Sequence, residues 1–157
     1  MPFTDLLAAD RIVLLVEPTS RDAVLDAAAR LLAANSPVAT QLIADGLRTR
    51  EQLGSTGIGH GVAIPHCRTA ALHEPRAAFL RLSAPIDFAA RDGEQVDLVF
   101  AMSVPENMAQ DHLQTLSELA ERFASPAFRE ALRAADTQGL RALLLGPAPA
   151  RIPGELA

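Results

Sequence analysis

The chain has 157 residues, 49% of them hydrophobic and 21% charged, with a formal net charge of −5. That is the length of one ordinary domain, able to bury roughly 70% of its unfolded surface, and its composition is that of a globular chain, not a disordered one. The acidic balance argues against nucleic acid and anionic membranes as partners, and apolar runs such as Ile12–Val16 fall far short of the roughly 20 residues of a membrane span.

In chain order, a short helix is expected around Phe3–Ala8, followed by a buried strand over Arg11–Val16. Glu17-Pro-Thr-Ser ends the strand, and Ser20 caps a helix over Arg21–Ala34 whose apolar face is Val24, Leu25, Ala28, Leu31 and Leu32. Ser36-Pro37 starts a second helix carrying Val38, Leu42, Ile43 and Leu47 to about Arg50. GSTGIGHG, residues 54–61, is too glycine-rich for a helix; Val62-Ala63-Ile64 reads as a short strand stopped by Pro65. Ala77–Leu82 and Val96–Ser103 have β character, joined through Ala84–Glu94. The last third is helical: one helix with Leu113, Leu116, Ala120 and Phe123 inward, a second from Ser125-Pro126 through Ala135, and a third from Thr137 to Leu145. The order of elements predicts a three-layer α/β domain, a mixed central sheet between helices, over residues 1–146. Residues 147–157 form an expected disordered tail.

Chemistry is narrowed by what is missing. All fourteen basic residues are arginine, which removes lysine-based chemistry, and six Phe without Trp or Tyr leave no platform for stacking bases. The single cysteine, Cys67, cannot form an internal disulfide, as expected in a reducing cytoplasm. No secretory leader is evident in MPFTDLLAADR.

The richest segment is REQLGSTGIGHGVAIPHCR, residues 50–68. Its alternating Gly57, Gly59 and Gly61 follow a helix and enter a strand, the reverse of a dinucleotide loop, and no GK[ST] occurs. The glycines instead let backbone approach a neighbouring reactive group, or else form a plain turn. His66 follows Pro65, which fixes where the next side chain emerges. A neutral imidazole there can attack phosphorus. His112 stands at the start of a helix, where the dipole favours its neutral form; spacing alone leaves it equally a half-exposed surface residue. His60, His66, Cys67 and His73 match no common zinc spacing, so no metal is expected. A serine hydrolase lacks its G-x-S-x-G elbow.

The same segment resembles the active-site signature of the enzyme IIA components of the bacterial phosphoenolpyruvate:sugar phosphotransferase system. The resemblance is to the mannitol/fructose class and most closely to its nitrogen-regulatory branch. It continues through PIDFAARDGEQVDLVFAMSVPE and DHLQTLSELAERF and spans about Leu6 to Leu145. It implies that His66 accepts a phosphoryl group at Nε2 from a histidine phosphocarrier protein, that His112 supports it, and that Arg50 offsets phosphoryl charge. Ser55, Thr56, Gly57 and Gly59 would contribute loop donors. Transfer between two imidazoles needs positioning and charge compensation and no cofactor. The family's fold, a mixed sheet between helices, agrees with the elements above. His60 and Cys67 depart from the usual pattern, which has a small polar residue and a glycine there; they could tune access or add a redox-sensitive thiol. The implied role is a cytoplasmic phosphorelay protein regulating partner proteins. The alternatives are a IIA component passing phosphate to the IIB domain of a sugar permease, or a non-phosphorylated interaction module.

Overall fold

The computed structural model describes residues 3–146, and of residues 109–112 the backbone alone; the expected tail lies outside the described residues. Two short 3-10 turns, Phe3–Leu6 and Ala9–Arg11, lead into strand β1 (Ile12–Leu15). The entry is thus a 3-10 turn where a helix over Phe3–Ala8 was expected, and Arg11 belongs to a turn and not the strand. Helices α1 (Arg21–Leu32) and α2 (Pro37–Leu53) follow. Ser20 and Ser36 accept from the amides of Ala23 and Ala39, capping both helices as their spacing predicts. Helix α1 stops before Ala34 because Ala34 and Asn35 take positive φ (53° and 71°) to turn the chain back. Helix α2 runs past Arg50 to Leu53, which puts Arg50 in its last turn.

Strands β2 (Gly57–Gly59), β3 (Val62–Ala63) and β4 (His66–Thr69) come next, then β5 (Arg76–Ile86) and β6 (Val96–Pro105). Helices α3 (Ala109–Phe123), α4 (Pro126–Ala134) and α5 (Thr137–Leu145) close the described chain. The sheet is mixed, in the order β1-β5-β6-β3-β2, with β4 also paired to β6. Only β5–β6 and β2–β3 are antiparallel. The sequence did not reveal β4: His66-Cys67-Arg68-Thr69 resumes the pairing that Pro65 breaks, in register with Met102 to Pro105.

Both faces of the sheet are covered, as mixed sheets with crossover helices require. On one side, Leu80, Val99 and Ala101 pack with Val24, Leu25 and Leu32 of α1 and Ile43 and Leu47 of α2. On the other, Phe79, Leu98, Phe100 and Met102 pack with Leu119 and Phe123 of α3 and with α4 and α5. Phe100 stands edge-on to Phe3 (ring centroids 5.5 Å apart) and Phe123 (6.3 Å). This is the three-layer α/β/α arrangement expected from the order of elements.

Four apolar positions of the expected helix faces do not face the core. Val38, Leu42 and Leu113 are 71%, 51% and 67% exposed, and Ala120 is exposed as well. Their helices turn Ala39, Ala44 and Leu119 inward instead. Leucines and valines at i and i+4 spacing mark a stripe, but not which side of it the sheet takes.

Because Phe100 is fully buried at the junction of the N-terminal turn and α3, Phe100→Ala should lose about 3–5 kcal/mol of stability. Urea unfolding followed by circular dichroism checks this.

Candidate functional site

The site is built where β3 hands over to β4. Both strands run parallel to β6, and Ile64-Pro65 interrupts them. Proline supplies no N–H to a ladder, yet its carbonyl still accepts from the Met102 amide at 2.9 Å, so the chain stays docked on β6 across the break. Ile64 is turned out of the regular pairing. Its amide donates to the Thr56 carbonyl at 3.0 Å, and its carbonyl faces the ring of His66, 2.7 Å from Nδ1. A carbonyl can only accept, so Nδ1 carries the proton and Nε2 the lone pair.

His66 is half-buried. Burial lowers its pKa; the Ile64 carbonyl pulls the other way, and the positive charge of Arg50 lowers it further. The imidazole is therefore held neutral at neutral pH. It opens onto a groove of about 900 Å³ between α2 and α3, bordered by Arg50, Leu53, Arg68, Glu106, Leu113 and Leu116. Arg50 reaches this groove from the last turn of α2, its Nη1 donating to the Gly54 carbonyl at 2.7 Å.

The structure thus brings Arg50 to His66. His112 is the fourth residue of α3, the helix that contributes Leu113 and Leu116 to the groove; its side chain lies outside the described residues. The glycine-rich loop is placed differently. Among the described residues, Ser55, Thr56, Gly57 and Gly59 do not border the groove. The Ser55 hydroxyl donates to the Phe88 carbonyl (2.5 Å) and accepts from the Gly57 amide (3.0 Å). Thr56 is buried, its amide and hydroxyl donating to Glu51. At Gly57 a Cβ would come within 2.8 Å of the Ala90 side chain, and Gly59 takes φ +98°. The glycines therefore allow a close approach, to the 87–94 loop and not to the groove. His60 sits on that side too, its amide on Asp92 (2.9 Å) and its carbonyl accepting from Arg133 (2.6 Å).

Cys67 faces the other side of β4, against α2. A Cβ on Gly46 would lie 3.1 Å from that of Cys67, and burial pushes the thiol up to about 12. A thiol so fully protonated is a poor redox sensor, which corrects that expectation. No set of three or more His, Cys, Asp or Glu among the described residues could hold a metal ion, and no described helix is long and apolar enough to cross a membrane. Sequence reasoning missed Glu51 and the Ile64 carbonyl. The only signal for the second was Pro65, which marks the break but not the direction in which the carbonyl turns.

The lowered pKa of His66 gives a signed prediction. Its NMR titration should show a midpoint below the ordinary 6.5, and Arg50→Ala should move that midpoint upward. Since the unfolded chain binds the proton more readily, this residue's contribution to stability should rise with pH between the folded midpoint and 6.5, and flatten above it. A wild-type midpoint at or above 6.5 would contradict the desolvated, arginine-flanked ring.

Three comparisons bear on this geometry. The family model of the phosphoenolpyruvate-dependent sugar phosphotransferase system, EIIA 2, matches residues 5–145. A nitrogen regulatory protein of Pseudomonas aeruginosa is 41% identical over 133 residues, covering 84% of this chain and 86% of that protein. The 2-O-alpha-mannosyl-D-glycerate-specific EIIABC component of Escherichia coli is 36% identical over 140 residues, 87% of this chain but 21% of that protein. Among solved structures, nitrogen regulatory protein IIA-Ntr from Neisseria meningitidis superposes with a TM-score of 0.82 at 38% identity, covering 90% of this chain and 97% of that one. With its signature histidine at the strand break and its mixed sheet between two helical layers, the chain belongs to the EIIA type-2 family of the phosphotransferase system.

Proposed function

We propose that the protein is a cytoplasmic phosphorelay component of nitrogen-regulatory type, phosphorylated on Nε2 of His66 by a histidine phosphocarrier protein. One observation carries this reading: the Ile64 carbonyl holds the proton on Nδ1 and so presents Nε2 as the nucleophile. The Nε2 lone pair forms a bond to phosphorus as the donor's P–N bond breaks, and the donor ring recovers that electron pair. A ring that starts neutral needs no base. Arg50, whose charge already acts on His66, compensates the incoming phosphoryl oxygens, and His112 supports the phosphorylated ring from α3. Ser55, Thr56, Gly57 and Gly59 serve by shaping the loop that carries Ile64.

Phosphorylation adds roughly two negative charges. In a groove rimmed by Arg50, Arg68, Asp45 and Glu106, that changes which protein surface can dock, rejecting an acidic one and recruiting an arginine-rich one. The regulatory reading is preferred over a sugar-permease role because identity to the nitrogen regulatory relative is higher, 41% against 36%, and because the 38% identical structure is of that type.

The test is transfer from labelled phosphoenolpyruvate through enzyme I and the histidine phosphocarrier. Wild type should take an acid-labile, alkali-stable label. His66→Ala should take none, while Arg50→Ala and His112→Ala should be labelled more slowly, by about tenfold or more. Absence of label on wild type with every carrier tried would overturn the phosphorelay reading and leave an interaction module with the family's fold.

A further inference from the structure

We propose that Glu51 is a positioning residue for His66, acting through Thr56 and Ile64. Its carboxylate is buried, 3% exposed, on the last turn of α2. Both oxygens are used by one residue: Oε2 accepts from the Thr56 amide at 2.8 Å and Oε1 from the Thr56 hydroxyl at 2.7 Å. Thr56 is itself 5% exposed. Its carbonyl accepts from the Ile64 amide at 3.0 Å, and the Ile64 carbonyl accepts from His66 Nδ1 at 2.7 Å. Three steps of hydrogen bonding therefore run from the end of a rigid helix to the ring nitrogen that sets the tautomer.

The physical need for this lock comes from the segment it spans. Gly54, Gly57, Gly59 and Gly61 lie between the end of α2 and β3, and each glycine adds backbone freedom that must be lost for Ile64 to hold one orientation. A buried carboxylate facing only neutral donors is a costly way to close a loop. Its charge strengthens both bonds, and gripping amide and hydroxyl together fixes Thr56 in position and in rotation. Without the lock, the Ile64 carbonyl can swing away from His66, and the bond that favours the proton on Nδ1 is lost.

This inference rests on reading His66 as the phosphoacceptor, but its first test does not. The nitrogen chemical shifts of 15N-histidine-labelled protein report which ring nitrogen of His66 carries the proton, with no donor present. Wild type should show Nδ1 protonated. Glu51→Ala should shift His66 toward the other tautomer and, in the transfer assay, lower kcat by about tenfold, the scale of a misoriented reacting group, with KM for the carrier unchanged. Glu51→Gln, whose carbonyl can accept from the Thr56 amide while its NH2 donates to the hydroxyl, should restore the wild-type tautomer. A general loss of structure would not be rescued in that way.

Should Glu51→Ala fail to fold, Thr56→Val and Thr56→Ser carry the comparison: Val removes one of the two bonds and should shift the His66 nitrogens, and Ser should lie closer to wild type. Wild-type nitrogen shifts and wild-type kcat in folded Glu51→Ala, or in Thr56→Val where that variant stands in, would overturn the proposal. A wild-type protein that accepts no phosphate would instead overturn the reading of His66, while the nitrogen spectra would still decide the part played by Glu51.

Discussion

The Ile64-Pro65 break is the constraint on which the site depends. An unbroken strand beside β6 would direct its carbonyls sideways into the ladder, leaving none for a histidine two residues on. Proline withholds a donor, and the residue before it is biased to extended backbone. The chain keeps its grip through the Pro65 carbonyl and the Met102 amide, then resumes pairing at His66. One backbone carbonyl is thereby turned out of the regular pairing and set against Nδ1. A defect in the sheet, of two residues, supplies the group that orients the ring.

Around that break, packing decides the electrostatics. Helix α2 can lie close to β4 because Gly46 meets Cys67 with almost no space for a side chain between them. That approach carries Arg50, one turn farther along, to the edge of the His66 groove. The same closeness buries Cys67 and holds its thiol protonated. On the opposite face, Phe100 and Phe123 fix α3 against the sheet, so its first turns form the other wall of the groove, with Leu113 left outward at the rim. Burial and a nearby cation both favour the neutral ring, and the Ile64 bond opposes them without reversing the balance. A neutral ring beside a fixed positive charge is the arrangement that the proposed phosphoryl acceptor needs.

The glycine-rich segment illustrates how the donors of a motif can find partners within the fold. Alternating glycines beside a serine and a threonine suggest donors turned toward an anion. In the folded chain those donors are spent internally: Ser55 on Phe88, Thr56 on Glu51, and the close approach at Gly57 on Ala90. Backbone polar groups must find partners somewhere, and a loop packed between α2 and the 87–94 segment finds them in its neighbours.

Much of the architecture was legible in one dimension. Ser20, Ser36 and Ser125 cap the helices that follow because a hydroxyl at that position satisfies an amide the helix cannot. The continuous apolar run of β6 marks a strand buried on both faces. His66 and Arg50, the residues proposed to carry the transfer, stand out from their segment because both lie within a single specific motif. Strand β4 escaped because His66 to Thr69 has little β character of its own and pairs only because β6 lies beside it. Val38, Leu42 and Leu113 were misplaced because periodicity defines a helix face but not its neighbour. The sequence by itself determined most of the elements, their order and the candidate site residues, because caps, breaks and motifs act within a few residues of the chain. Only the tertiary structure decided which carbonyl meets Nδ1, which loop donors are already taken and why Glu51 is buried, because those depend on contacts between segments that local sequence does not encode.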